Sequence, residues 1–514
     1  MEIFAGKYEY LKDDEDPLIE ENESDEDLQD EMIFRNGNRK VMNSKNYAAL
    51  LFPLAIVFFI GLSCVVYLQP TNVDNFDPTL SDKKRIGIYE NIIDALEEPN
   101  VIPNRYKRRP ETQHIDCGRI LKKDKDYIQT LTGANRVPLI ENRLLNMSCP
   151  AIKERIHANH KNFKLLKSGG VAFARIVYSD YEFIEKQVEI SWHPQNVFCF
   201  AVDKKSQRNF HVKMQKLGEC VENIVVLPAT ESYDSSGHNM NLGHKRCMEA
   251  LLQFPDWSYM MHLQNNDVIT KSVYELARIF ELFGGANDVN IGREIDQRRV
   301  PGLKWDPKSM KLFRNESKVD QKVLNDPMKV VSGYVQSSWS RAAVEWLIEE
   351  VDITIAMNQF NQTFYACDEQ LFPSLQVNEE YGMPGHYTFQ CMDQEFGYEQ
   401  ITRFTKWASG NINNCVTKTV RNGICLVGIE EFGAISRMPA IISNKMIPSF
   451  DYTIMECTAE LLFNRTFLNQ VDHELDEKYY ETLPAVLYHK HFNDPGFKLN
   501  CTPAHQIWKY EDYL

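Results

Sequence analysis

A chain of 514 residues, 43% of them hydrophobic, can bury one large core or two ordinary ones, which excludes a small disulfide-stapled module. The net charge of −15 excludes a nucleic-acid partner, since phosphate binding calls for a basic face. That charge is uneven: Met1–Lys45 holds 14 acidic against 6 basic residues, so more than half of the excess sits in a short N-terminal stretch.

Residues 1–46 include DDEDPLIEENESDEDLQDE, too charged and too poor in aromatics to pack, which predicts a disordered cytosolic tail. YEYL and DEDPLIE within it resemble tyrosine-based and acidic dileucine sorting signals. Residues 47–68, YAALLFPLAIVFFIGLSCVVYL, run 22 positions without a charge, enough to cross a hydrocarbon core of about 30 Å as a helix. A cleaved signal peptide would start near residue 1 and be shorter. Arg39, Lys40 and Lys45 precede this run and Asp74 and Asp77 follow it, so the positive-inside bias predicts a single-pass type II orientation, with everything after Leu68 lumenal. The four Asn-x-Ser/Thr sequons, at Asn146, Asn315, Asn361 and Asn464, all fall on that side, where glycosylation occurs. So do eleven of the 12 cysteines, as an oxidising compartment favours; Cys64 alone lies within the membrane run. An odd number leaves at least one thiol free or paired between chains in a homodimer. Residues 69–115 interleave five prolines with charges and read as a stem, followed by a lumenal domain over 116–514.

Beyond the stem the texture changes to alternating strand and helix patterns. GGVAFARIVY (169–178) reads as a buried strand, DYEFIEKQVEISW as an amphipathic helix, and VFCFAVD (197–203) as a second strand. FHVKMQKLGECV then reads as helix, NIVVLP as strand, NMNLGHKRCMEALLQF as helix and SYMMHLQ as strand. The alternation predicts a mostly parallel sheet flanked by helices, with ligands at the carboxyl ends of its strands. Asp203 closes the second strand and is read either as a ligand-facing carboxylate or as a turn residue. No GxGxxG follows the first strand, and no Walker A sequence, HExxH pair or GxSxG elbow occurs, which removes dinucleotide, P-loop, zinc-protease and serine-hydrolase readings.

At 365–375 the sequence YACDEQLFPSL sets Asp368 and Glu369 into an apolar stretch, so at least one carboxylate approaches a core. Glu369 is read either as a catalytic group or as a helix N-terminal carboxylate.

Taken in order, ARIVYSDYEFIEKQVEISWHPQNVFCFAVDKKS, CMEALLQFPDWSYMMHLQNND, VVSGYVQSSWSRAAVEWL, CDEQLFPSL, ITRFTKW, CVTKTVRNGICLVGIEE and NKMIPSFDYTIMEC make residues 117–457 resemble the core-2/I-branching β-1,6-N-acetylglucosaminyltransferases. This family also contains protein xylosyltransferases, and worm-type branches look most similar. The resemblance implies a GT-A type fold, a UDP-GlcNAc donor, a glycan or glycoprotein acceptor, a Golgi membrane location and inversion at the anomeric carbon with no divalent metal or other cofactor. It assigns the general base to Glu369, whose apolar setting would raise its pKa. It assigns the departing diphosphate to Arg421 and Lys445, in place of the Asp-x-Asp metal motif of most GT-A enzymes. SYMMHLQNND offers only Asp267 at the corresponding place, and the one literal DxD, Asp124 and Asp126, lies before the first strand. The donor nucleoside maps to Ile176, Tyr178 and Asp203, and an acceptor sugar face to Trp407, whose other reading is core packing.

The same resemblance pairs Cys117 with Cys457, Cys149 with Cys220, Cys199 with Cys247 and Cys415 with Cys425, leaving Cys367, Cys391 and Cys501 over. Two departures loosen the acceptor assignment: Asn290 stands where the family carries an acidic residue, and Arg293, Arg298 and Arg299 do not align with its basic neighbours. Two rival readings remain, a protein O-xylosyltransferase and a catalytically silent glycan-binding membrane protein.

Overall fold

The computed structural model describes residues 105–160, 163–293, 300–393, 400–470 and 472–501. The tail at 1–46, the membrane run at 47–68, the stem up to 104, and Arg298 and Arg299 lie outside the described residues. No helix among the described residues is long and apolar enough to cross a membrane.

The core is a five-stranded sheet of order β3-β2-β1-β4-β6, made by β1 (Gly170–Val177), β2 (Val197–Val202), β3 (Ile224–Val226), β4 (Trp257–Gln264) and β6 (Ser338–Ser340). The first four strands run parallel, while β6 pairs antiparallel with β4 at the edge. All residues of β1 and β2 are buried, as expected for parallel strands covered on both faces. Side chains alternate between the faces. Val171, Phe173 and Val177 of β1 join Phe198, Phe200 and Val202 of β2 in one apolar cluster, whereas Ala172, Ala174 and Ile176 join Val197, Cys199 and Ala201 in the other. The helices read from the sequence fall at Tyr181–Ile190, Arg208–Cys220 and Met240–Leu251.

A second sheet, β5-β10-β7, is formed by β5 (Val268–Ile269), β10 (Ile442–Asn444) and β7 (Arg403–Thr405). Beside it, β8 (Val420–Arg421) and β9 (Ile424–Cys425) form a hairpin. Its two-residue turn, Asn422-Gly423, has φ of 51° and 74°, the left-handed pair that a tight hairpin turn requires and that Asn-Gly supplies.

Among the described residues there are five disulfides. Four are Cys117–Cys457, Cys149–Cys220, Cys199–Cys247 and Cys415–Cys425. The fifth, Cys391–Cys501, joins two cysteines that the resemblance left over. Among the described residues Cys367 is the remaining thiol, and it is buried, so it is not placed to bridge chains.

Residues 105–115, read above as the end of the stem, pack into the domain. Tyr106, Thr112 and Ile115 are buried, and Thr112 Oγ1 donates to Glu456 at 2.7 Å on the helix Thr453–Phe467. The prolines and charges there suit a folded N-terminal strap as well as an extended spacer, and the partners Glu456, Glu460 and Glu182, far along the chain, distinguish the two.

Candidate active site

A cavity of about 510 Å³ opens at the carboxyl ends of β1, β2 and β4. Ile176, Tyr178, Asp203, Glu369, Trp407, Arg421 and Lys445, the seven donor, acceptor and catalytic candidates from the sequence, all line it.

The sheet supplies one wall. Ile176 ends the apolar face of β1, and Tyr178 follows it, 41% exposed, with its backbone N–H donating to Asn265 Oδ1 at 3.0 Å. Asp203 is buried at the end of β2. Its Oδ1 accepts the Lys205 N–H at 2.9 Å, so it acts as a turn residue and faces the cavity at once.

In the Asp-Glu pair one carboxylate approaches the core, as the apolar stretch predicts. Asp368 is the buried member, while Glu369 is half-buried on the cavity wall. Gly237 explains the inward turn of Asp368: with φ of +87° it leaves room where a Cβ would meet Asp368 Oδ1 at 2.0 Å. Glu369 is fixed through its backbone, donating to Ala366 O at 3.2 Å and accepting the Gly333 N–H at 2.8 Å, just ahead of the helix Leu371–Val377.

The opposite charge comes from the short strands. Arg421 is exposed at the end of the β8–β9 hairpin, which the Cys415–Cys425 disulfide ties down. Lys445 follows β10. Burial, reinforced by repulsion from Arg421 and Arg403, pushes its ammonium pKa down to about 8, against an opposing pull from Asp267. Trp407 is 43% exposed, not core: its Nε1–H donates to Tyr334 Oη at 3.0 Å, and its ring stacks on Tyr334 at 6.4 Å.

Sequence reasoning missed a polar ring beneath these residues. Arg403 Nη atoms donate to Gln336 Oε1 at 2.8 Å and to Asn444 Oδ1 at 3.0 Å. The same two amides donate onward to the two oxygens of Asp267, at 2.9 and 2.7 Å. Asp267 also accepts the Gln264 N–H at 2.6 Å and is completely buried. Below it, Arg175 donates to the carbonyls of Gln264 and Asp267 at 2.8 Å each, with burial lowering its pKa to about 10. Arg403 stands in ITRFTKW, but nothing local in that segment signals partners on two others.

The remaining candidates lie elsewhere. Asp124 caps the helix Lys125–Gln129 and pairs with Arg119, away from the cavity. Asn290 does not line the cavity. Asn146 and Asn315 are exposed, Asn464 is half-buried in a helix, and Asn361 Nδ2 donates to Asn239 at 3.1 Å.

A carboxylate and several cations sharing one cavity at the strand ends suit transfer of a group from an anionic leaving group to a nucleophile. The chain belongs to the Core-2/I-Branching enzyme family, whose family model matches residues 171–436, just over half of the sequence, and it is a glycosyltransferase. It is 23% identical over 370 residues to a beta-1,3-galactosyl-O-glycosyl-glycoprotein beta-1,6-N-acetylglucosaminyltransferase of Bos taurus, covering 68% of this chain and 85% of that protein. A similarly named enzyme of Danio rerio, numbered 4, is 23% identical over 411 residues, 78% of this chain and 90% of the relative. One of Rattus norvegicus, numbered 3, is 24% identical over 311 residues, 57% of this chain and 68% of the relative.

Proposed function

We propose that this chain is a GT-A type, inverting transferase that moves N-acetylglucosamine from UDP-GlcNAc to a glycan hydroxyl, with β-1,6 branching as the linkage, and that it needs no divalent metal. Glu369 takes the proton of the attacking hydroxyl as the new bond to the anomeric carbon forms and the bond to the diphosphate oxygen breaks. Arg421 and Lys445 neutralise the charge that builds on the departing nucleotide, the guanidinium as a fork and the ammonium as a point charge. Ile176, Tyr178 and Asp203 hold the nucleoside, and Trp407 offers a ring face to the acceptor. The observation that carries this reading is the convergence of Glu369, Arg421 and Lys445 on one cavity at the strand ends. The names of the relatives support the sugar and the linkage. Metal independence draws support from Asp267, whose oxygens are taken by three N–H donors. The uncharged run at 47–68 and the lumenal sequons support a Golgi type II placement.

The test is transfer by the full-length protein from UDP-GlcNAc to a β-1,3-galactosyl glycoside, run beside UDP-xylose with a serine peptide. Transfer from the first donor is expected. Preference for the xylose donor would contradict the assignment, and absence of any transfer would favour a silent glycan-binding role.

A further inference from the structure

Arg403 lines the cavity with Arg421 and Lys445, yet the mechanism above gives it no part. Its guanidinium is held by three hydrogen bonds and an aromatic ring. Nε donates to Thr405 Oγ1 at 2.6 Å, the two Nη atoms reach Gln336 and Asn444, and the group lies 4.4 Å from the centroid of the Tyr334 ring. Because Gln336 and Asn444 also grip the two oxygens of Asp267, guanidinium, amide, carboxylate and amide close into a ring. Asp267 is therefore held at one amide's remove from Arg403. No carboxylate among the described residues comes within 4.0 Å of Arg403, Arg421 or Lys445 in an ion pair.

A guanidinium carries five N–H groups, of which this arrangement uses three. Three cations thus share a cavity in which Asp267 has its oxygens committed to amides, while Asp368 and Glu369 attract Arg403 without an ion pair. Such crowding is unfavourable unless an anion completes it. The lowered pKa of Lys445, caused first by burial and then by these two neighbours, reports the same repulsion.

We propose that Arg403 is a third cation for the donor's diphosphate, held in place by the amide ring to Asp267. The identity of the anion rests on the nucleotide-sugar reading; the ring and the cation cluster do not. Asn444 belongs to the ring and precedes Lys445 directly, so Arg403 also fixes the backbone that carries Lys445.

The experiment measures binding of inorganic pyrophosphate, UDP and uridine to the full-length protein by calorimetry, for wild type, Arg403→Gln and Arg403→Lys. Arg403→Gln is expected to weaken pyrophosphate and UDP by about 10- to 100-fold, the scale of lost charge-assisted hydrogen bonds. Uridine should bind unchanged, and Arg403→Lys should recover part of the pyrophosphate affinity because it keeps the charge. Unchanged pyrophosphate binding in Arg403→Gln, or uridine weakened as much as UDP, would overturn the proposal. Should Arg403→Gln fail to fold, a structure of the wild type with UDP decides: an Arg403 Nη about 3 Å from a phosphate oxygen is expected. A protein side chain standing between them would refute it. A wild type that transfers no N-acetylglucosamine while losing pyrophosphate with Arg403 would defeat the transfer reading and keep this one; normal transfer with pyrophosphate indifferent to Arg403 would do the reverse.

Discussion

The two walls of the cavity are built by different means. On the sheet side, Ile176, Tyr178 and Asp203 project from the ends of long, fully buried strands whose pairing runs through six registered positions between β1 and β2. On the other side, Arg403, Arg421 and Lys445 sit on or next to strands of two or three residues. Those strands have too little hydrogen-bond ladder to hold themselves. An Asn-Gly turn, the Cys415–Cys425 disulfide and the Asp267 ring supply what the ladder lacks. The charges differ as well: Asp203 is the sheet wall's buried ion, and the exposed Lys205 lies 4.0 Å from it, whereas the second wall is cationic. A nucleoside suits the first wall and a diphosphate the second, so the contrast predicts how binding energy divides.

The largest expected effect lies where the walls meet. Glu369→Gln should lower kcat by about 100-fold or more, the usual scale for loss of a general base, with UDP affinity unchanged in a binding titration. Retained turnover would remove Glu369 from the mechanism. Next, Arg421→Ala and Lys445→Ala should each lower kcat/KM for the donor by about 10- to 100-fold while leaving uridine binding alone. Asp203→Asn should weaken uridine and UDP alike, and equal sensitivity of uridine to all three variants would erase the contrast.

Smaller still is the pH effect. Lys445 loses its charge as pH rises through about 8, so donor KM should increase above that value. The sign for stability is opposite. The unliganded folded protein binds fewer protons than the unfolded chain between about 8 and the ordinary lysine value near 10.4, so this group's contribution to stability rises with pH there. Saturating UDP should restore the charge and flatten that rise in a melting series. Smallest, Trp407→Ala should raise acceptor KM by roughly 10-fold and Trp407→Phe by much less, with donor KM constant, as a stacking role requires.

The same contrast explains what could be read in advance. Long apolar runs ending in a polar residue give the sheet wall directly, because burial on both faces and alternation are local properties of the chain. RNG between cysteines likewise signals the hairpin that carries Arg421. The ring does not announce itself: Arg403 meets partners 67 positions earlier and 41 positions later. In the Asp-Glu pair the sequence gives one carboxylate near a core, but Gly237, far upstream, decides that it is Asp368. Cys391–Cys501 escaped because the resemblance carried four pairings only, and 105–115 reads as stem until Glu456 is seen to bury it.

Fixed cations standing where a metal would be is the claim on which the mechanism depends. Its most direct test is the rate of N-acetylglucosamine transfer from UDP-GlcNAc by the full-length protein after exhaustive chelation. An undiminished rate is expected; a rate that vanishes and returns only with added manganese would contradict the account.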